Sequence, residues 1–222
     1  MTGTLRILSG GAAQGLVEEV RPAFEAETGC RIDGTFGAVG VMRDLIVTGD
    51  PADLVILSRA LIDELGRGGH LLNASIADVA TVATAVAVRS GDPVPGLADS
   101  WAVRAALLAA DAIHFPDPRQ ATAGIHFARV MQKLGIDRDV AGRLRPAANG
   151  ATAMRELAQS TARQPIGCTQ ATEIRATPGL TLAGPLPPGL DLTTVYAAAV
   201  TARATSAGPA IDFIARLRDR SS

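Results

Sequence analysis

The sequence predicts an α/β fold in two lobes, on three observations. Short runs rich in β-branched residues alternate with stretches of helical periodicity along the whole chain. That alternation implies mostly parallel sheets covered by helices. The turn-rich stretch "SGDPVPGL" (90–97) separates two successive series of such units and reads as a hinge or lobe boundary. A chain of 222 residues is long enough to bury a substantial core in two small lobes.

"LRILS" (5–9) reads as the first strand. Ala13, Leu16, Val17, Val20 and Phe24 then recur at helical spacing, and Gly29 ends that helix. "CRIDGTF" (30–36) is the second strand, and the Gly-rich turn "GAVG" (37–40) leads into a helix from about Val39 to Thr48, stopped by Gly49. "ADLVILS" (52–58) is the third strand and "RALIDELGRGG" (59–69) the next helix. Beyond the apolar "VATAVAV" (82–88) and the turn-rich break, "WAVRAALLAA" (101–110) is helical and "AIHF" (112–115) a strand. Phe127, Val130, Met131 and Leu134 form one face of a helix ending at Gly135. A helix around Met154, Leu157 and Ala158 precedes the strand-like "QPIGC" (164–168). "LTLAGPLP" (180–187) and "TVYAAAV" (194–200) are further strands, and the last helix carries Ala210, Ile214 and Leu217.

Composition narrows the function. Hydrophobic residues make up 47% and charged residues 19%, as in a globular protein. A net charge of −1 gives no support for a nucleic-acid partner, which a basic surplus or stripe would signal. The longest apolar run, "VATVATAVAV" (79–88), is about half the ~20 residues a membrane span needs, so no membrane insertion is expected. The opening "MTGTLRIL" has no basic n-region, apolar h-region or cleavage site. As written the sequence reads as cytoplasmic, with a periplasmic location the alternative if a leader has been removed. Cys30 and Cys168 match no metal spacing and read as small buried hydrophobes, with a pairing between them left open.

The candidate chemistry falls just after the strands. Ser9, Gly10 and Gly11 follow the first, Gly37, Ala38 and Val39 the second, and Ser58 the third. Thr122, Ala123 and Gly124 lie in "PDPRQATAGIHF", Asn149 in "ANGATAM", and Thr169 in "TQATEI". Several of these loops open into helices, whose first-turn N–H groups are unpaired and carry the positive end of the dipole. Glycines let a ligand approach that backbone closely, so an anion can be held with no positive side chain; singly, each Gly also reads as a simple turn residue. Asn149 reads as a helix N-cap. His126 is either a donor or proton shuttle at a carboxylate or a structural histidine, and Glu173 either a general base or a capping residue. No nucleophile–base motif, P-loop or metal cluster occurs, and "SGGAAQG" lacks the glycine spacing of the dinucleotide fingerprint. No cofactor and no metal are expected.

Four stretches in this order carry a resemblance: "LRILSGGAAQGLVEEVRPAFEAETG" (5–29), "TFGAVGVMRDLIVTGDPADLVIL" (35–57), "FPDPRQATAGIHFARVMQKLGI" (115–136) and "RQPIGCTQATEI" (163–174). Together they resemble the molybdate-binding proteins of ABC importers. The resemblance implies a type II periplasmic-binding-protein fold: lobe 1 from residues 1–82 and 197–222, lobe 2 from 83–196, crossover strands joining them, and a ligand cleft between them. It also implies a small anionic ligand and, if the protein is exported, an ABC permease as partner. The family's site hydroxyls fall at positions matching Ala12 and Val39, and its tyrosine at about Cys168, so all three are absent here. Backbone donors near Ala123 and around Gly150 and Ala151 persist. Each buried ligand oxygen left without a partner costs roughly 1–3 kcal/mol, so tight binding of a tetrahedral oxyanion is expected to be lost and a carboxylate is the better fit. Aconitate isomerase resembles these proteins as an enzyme branch of the same fold. The alternative is therefore a cofactor-independent isomerase of a small polycarboxylate, with His126 and Glu173 as proton carriers and the same shell orienting the substrate. Tyr196, on a returning strand, either touches the ligand or packs.

Overall fold

The computed structural model describes residues 3–220. The chain runs β1 (Thr4–Gly10), α1 (Gln14–Thr28), β2 (Arg31–Gly37), α2 (Val39–Thr48), β3 (Leu54–Ser58), α3 (Arg59–Arg67) and β4 (Ala77–Arg89). It continues through α4 (Ser100–Ala109), β5 (Ala112–Pro116), α5 (Thr122–Lys133), α6 (Asp137–Val140), β6 (Leu144–Ala147), α7 (Gly150–Ala158) and β7 (Pro165–Gln170). It ends with α8 (Ala171–Arg175), β8 (Leu180–Pro185), β9 (Thr193–Val200) and α9 (Ala207–Arg220). Residues fall into two compact units, one running through Thr81 and resuming at Thr194, the other Val82–Thr193. The turn-rich segment 90–97 therefore lies inside the second unit, linking β4 to α4. The change of unit comes earlier, within the 13-residue β4. A continuous strand can belong to both units because its hydrogen-bonding partners change along its length. From Thr84 onward β4 pairs with β7 and from Ala85 with β8.

In the first unit β1 lies between β2 and β3, parallel to both, and β9 adds to β3 antiparallel. All five residues of β3 are buried, as expected of a strand covered on both faces. Helices α1 and α9 pack together through Phe24 and Phe213, whose rings meet edge to face at 4.9 Å. Asp53, just before β3, is 3% exposed. It accepts from the amides of Arg6 (3.0 Å), Thr205 (2.7 Å) and Ser206 (2.9 Å) and from the Thr205 hydroxyl (3.1 Å). Burial pushes its pKa up, but these four bonds together outweigh burial and hold it below the ordinary carboxylate value. One carboxylate thus ties the start of β3 to β1 and to the segment entering α9.

In the second unit β7 lies between β4 and β5, with β6 parallel beyond β5 and β8 on the other edge of β4. Val86, Ile113, Phe115, Phe127, Met131 and Ile166 share one core with α5, in which Phe115 and Phe127 stack edge to face at 5.7 Å. The four-residue β6 carries Arg145 and Pro146. An edge position tolerates the proline because only one side of the strand is paired. His114 of β5 is buried and neither ring nitrogen has a partner. Burial, and then the charge of Arg145, lower its pKa. Cys30 and Cys168 are both buried free thiols. Among the described residues no helix is long and apolar enough to cross a membrane.

Candidate functional site

Each unit presents its polar groups where strands end and helices begin, as its chain alternation requires. In the first unit the anticipated Gly-rich turn is tighter than "GAVG" suggests. Gly37 completes β2, Gly40 is already helical, and the extended Ala38 (φ −64°, ψ 134°) alone links strand to helix. No side chain caps α2, so the first-turn amides from Val39 onward have no side-chain acceptor. At the end of β1, a Cβ on Gly10 would stand 2.7 Å from Val39 Cγ1 and 3.0 Å from Tyr196 Cε1. Glycine is required there because those two side chains close over the backbone. Where the resemblance led us to look for hydroxyls, this unit places the apolar surface of Val39 and Ala12 and the Tyr196 ring. Gly11 opens the short 3-10 turn (11–13) that precedes α1.

Ser9 and Ser58 differ in what their hydroxyls do. Ser9 is fully buried and donates to the carbonyl of Gly10 at 3.0 Å, so its hydroxyl is occupied by the backbone. Ser58 ends β3 opposite Tyr196 and precedes α3 without making a side-chain cap, which leaves its hydroxyl available.

In the second unit α5 starts at Thr122 after an extended Ala121, again with no side-chain cap. A Cβ on Gly124 would lie 2.3 Å from the carbonyl oxygens of Pro116 and Asp117, so only glycine lets this helix start pack on the end of β5. The preceding loop is ordered by Asp117, whose carboxylate accepts from the amides of Arg119 (2.7 Å) and Gln120 (3.0 Å). His126 lies further along α5, with Nε2 2.7 Å from the carbonyl of Leu190. A carbonyl can only accept, so the proton sits on Nε2 and fastens α5 to the 186–190 segment. That nitrogen is not at hand for a ligand.

At α7, Asn149 caps the helix by accepting from the Thr152 amide at 2.9 Å, while its carbonyl takes the Ala153 amide. This leaves the amides of Gly150 and Ala151 without an acceptor among the described residues. Beside them Glu173, 8% exposed, accepts from the Thr169 hydroxyl at 2.6 Å. A Cβ on Gly150 would fall 2.0 Å from Glu173 Oε2 and 2.3 Å from Thr169 Oγ1. Burial raises the Glu173 pKa, and the bonds from Thr169 and the Gln170 backbone only partly oppose it. A carboxyl so placed can hold a proton and give it up to a neighbouring acceptor.

The structure thus gathers Gly10, Ala38, Val39 and Ser58 in one unit and Asn149, Thr169 and Glu173 in the other, with Thr122 to Gly124 at the start of α5, which packs on the end of β5, the strand next to β7. It does not bring His126 to them. Cys168, matched above to a tyrosine, is fully buried in the core of the second unit, on the face of β7 opposite Thr169, and burial drives its thiol pKa upward. In the first unit a tyrosine, Tyr196, stands beside Gly10. Gly150 and Ala151 complete the candidate set. The resemblance implies backbone donors at these two positions. An apolar crevice of about 200 Å³ lined by Val88, Val94, Ala106 and Ile166 lies at the start of β7, away from the amides. Among the described residues no group of three or more His, Cys, Asp or Glu side chains is placed to hold a metal ion.

A family model described as bacterial extracellular solute-binding protein matches residues 5–221. An aconitate isomerase from Pseudomonas sp is 28% identical over 211 residues, which span 90% of this chain and 76% of that protein. Among solved structures, the periplasmic molybdate-binding protein of Azotobacter vinelandii superposes with a TM-score of 0.78 at 20% identity, covering 96% of this chain and 92% of that one. The sulfate-binding protein SubI from Mycobacterium tuberculosis H37Rv superposes with a TM-score of 0.76 at 19% identity, covering 97% and 82%.

Proposed function

The chain belongs to the bacterial extracellular solute-binding protein family and has the type II periplasmic-binding-protein fold, and from that premise we propose that it captures a small carboxylate anion. The observation that carries this reading is, in the second unit, the uncapped start of α5 and the Gly150 and Ala151 amides that the Asn149 cap leaves without an acceptor among the described residues; in the first unit, apolar groups stand where an oxyanion site would need hydroxyls. Two adjacent first-turn amides match the two oxygens of a carboxylate. A tetrahedral dianion presents four oxygens, and each one left unpartnered costs roughly 1–3 kcal/mol. An ABC permease is the partner this reading implies if the protein is exported.

A second reading has one observation in its favour. Glu173 is a buried carboxyl beside free amides, and the relative at 28% identity is an aconitate isomerase. A cofactor-independent shift of an allylic proton needs such a group, and Glu173 is its better candidate because His126 is engaged by Leu190.

A thermal-shift screen tests both readings, setting citrate and the aconitates against molybdate, tungstate and sulfate. A ligand that binds only the folded state at a hundred times its Kd adds about 2.7 kcal/mol of stability. A rise in Tm with a polycarboxylate is the expected result, and a rise with molybdate alone defeats the carboxylate reading. Exchange of the bound aconitate's allylic hydrogen in heavy water, catalysed by the protein and lost in Glu173→Gln, would establish the isomerase; binding without exchange leaves capture as the function.

A further inference from the structure

Glu173 is an acidic group lodged among groups that attract anions. Its carboxyl sits between the first turns of α7 and α8, 2.6 Å from the Thr169 hydroxyl, and fills the space that any side chain at Gly150 would need. No cation faces it. The elements packed on α8 are β7, β8 and α7. The ionisable side chain of β7 is the Cys168 thiol, which points into the core, and β8 has none. Helix α7 carries Arg155 and Glu156, both exposed, with Arg155 directed to the Thr152 hydroxyl, and Arg175 of α8 is exposed. An ionised carboxylate here would repel an anion arriving at the Gly150 and Ala151 amides. A protonated one adds a donor for it.

We propose that Glu173 determines which anions are accepted at the start of α7, by taking one proton from solvent as a ligand carboxylate binds and donating it in a hydrogen bond to that ligand. This rests on the capture reading above and adds to it a proton that travels with the ligand. Burial, which favours the neutral carboxyl, supports the same conclusion. Thr169 then tunes the switch, because its hydroxyl favours the ionised form.

The test is calorimetric titration of the whole protein with citrate and trans-aconitate between pH 5.5 and 8, in two buffers of different ionisation enthalpy. Wild type is expected to take up close to one more proton per ligand than Glu173→Gln over part of this range. Its affinity then falls up to tenfold more per pH unit than the variant's, one proton being worth one decade per unit. Thr169→Val keeps the carboxyl and loses the donor to its charged form, so the pH at which affinity breaks moves upward. Equal proton counts and pH slopes in wild type and Glu173→Gln, with both binding, would overturn the proposal. If Glu173→Gln does not fold, an unmoved break in Thr169→Val overturns it instead. Failure of wild type to bind any carboxylate defeats the capture reading, and this inference with it.

Discussion

Substituting Gly150 by alanine is the sharpest perturbation of the second unit. The new methyl would lie 2.0 Å from Glu173 Oε2, 2.4 Å from its Cδ and 2.3 Å from Thr169 Oγ1. These are far inside van der Waals contact, so the carboxyl has to leave its place. That breaks the 2.6 Å bond from Thr169. Losing one partner of a buried hydrogen bond costs about 1–3 kcal/mol, and overpacking adds about 1–3 kcal/mol. The alanine returns at most ~1 kcal/mol of helix propensity. The expected loss is therefore about 1–5 kcal/mol, read as a lowered midpoint in urea with an unchanged slope. Gly15→Ala on α1 is the control, because nothing lies within 4 Å of its Cβ position, and its stability should be unchanged or slightly higher. Adding Glu173→Ala to Gly150→Ala removes the collision with the carboxyl and leaves only that with Thr169 Oγ1, so the two costs should combine to less than their sum by about 1 kcal/mol or more. A Gly150→Ala protein within 0.5 kcal/mol of wild type (on the order of ordinary surface substitutions), or strictly additive losses, would refute the packing argument.

Two predictions concern the buried groups outside the helix starts. Asp53→Ala strands the amide donors of Arg6, Thr205 and Ser206 and the Thr205 hydroxyl, and should cost about 2–4 kcal/mol in urea at pH 7. Because its folded pKa lies below the ordinary 3.8, the stability Asp53 contributes is fully present above that pH and is lost as pH falls below it. The variant should therefore show a shallower acid loss than wild type, and equal acid profiles would count against the role given to Asp53. His114 has a folded pKa below 6.5, so as pH falls through 6.5 the unfolded chain takes the proton first and stability drops. Urea unfolding of His114→Leu should vary less between pH 7.5 and 5 than that of wild type; an unchanged difference would show that His114 is not a group that titrates on unfolding.

Much of this architecture was legible from local chemistry. Gly29, Gly49 and Gly135 mark helix ends because each adopts a positive φ, of 67°, 90° and 65°, that other residues avoid. Asn149 announced a helix start and caps one. Other features depended on tertiary partners that periodicity does not encode. The strand β6 is held by β5 and has no alternation of its own. The turn at Ala38 reads as four residues in the sequence because Gly37 and Gly40 look like turn glycines, yet Gly37 completes β2 and Gly40 lies in the first turn of α2. Which face of β7 Cys168 occupies follows from the core formed by α5, and no spacing rule shows it. The engagement of His126 by Leu190 joins residues 64 apart in sequence.

The central claim is that backbone amides at helix starts hold a carboxylate, and an amide-resolved NMR titration with trans-aconitate tests it most directly. The account predicts saturable shifts in the second unit, in the amides of Ala123 and Gly124 and of Gly150 and Ala151, with smaller changes elsewhere and none of comparable size with sulfate. Shifts confined to other surfaces, such as the crevice lined by Val88, Val94 and Ile166, or saturation of these amides by sulfate alone, would contradict it.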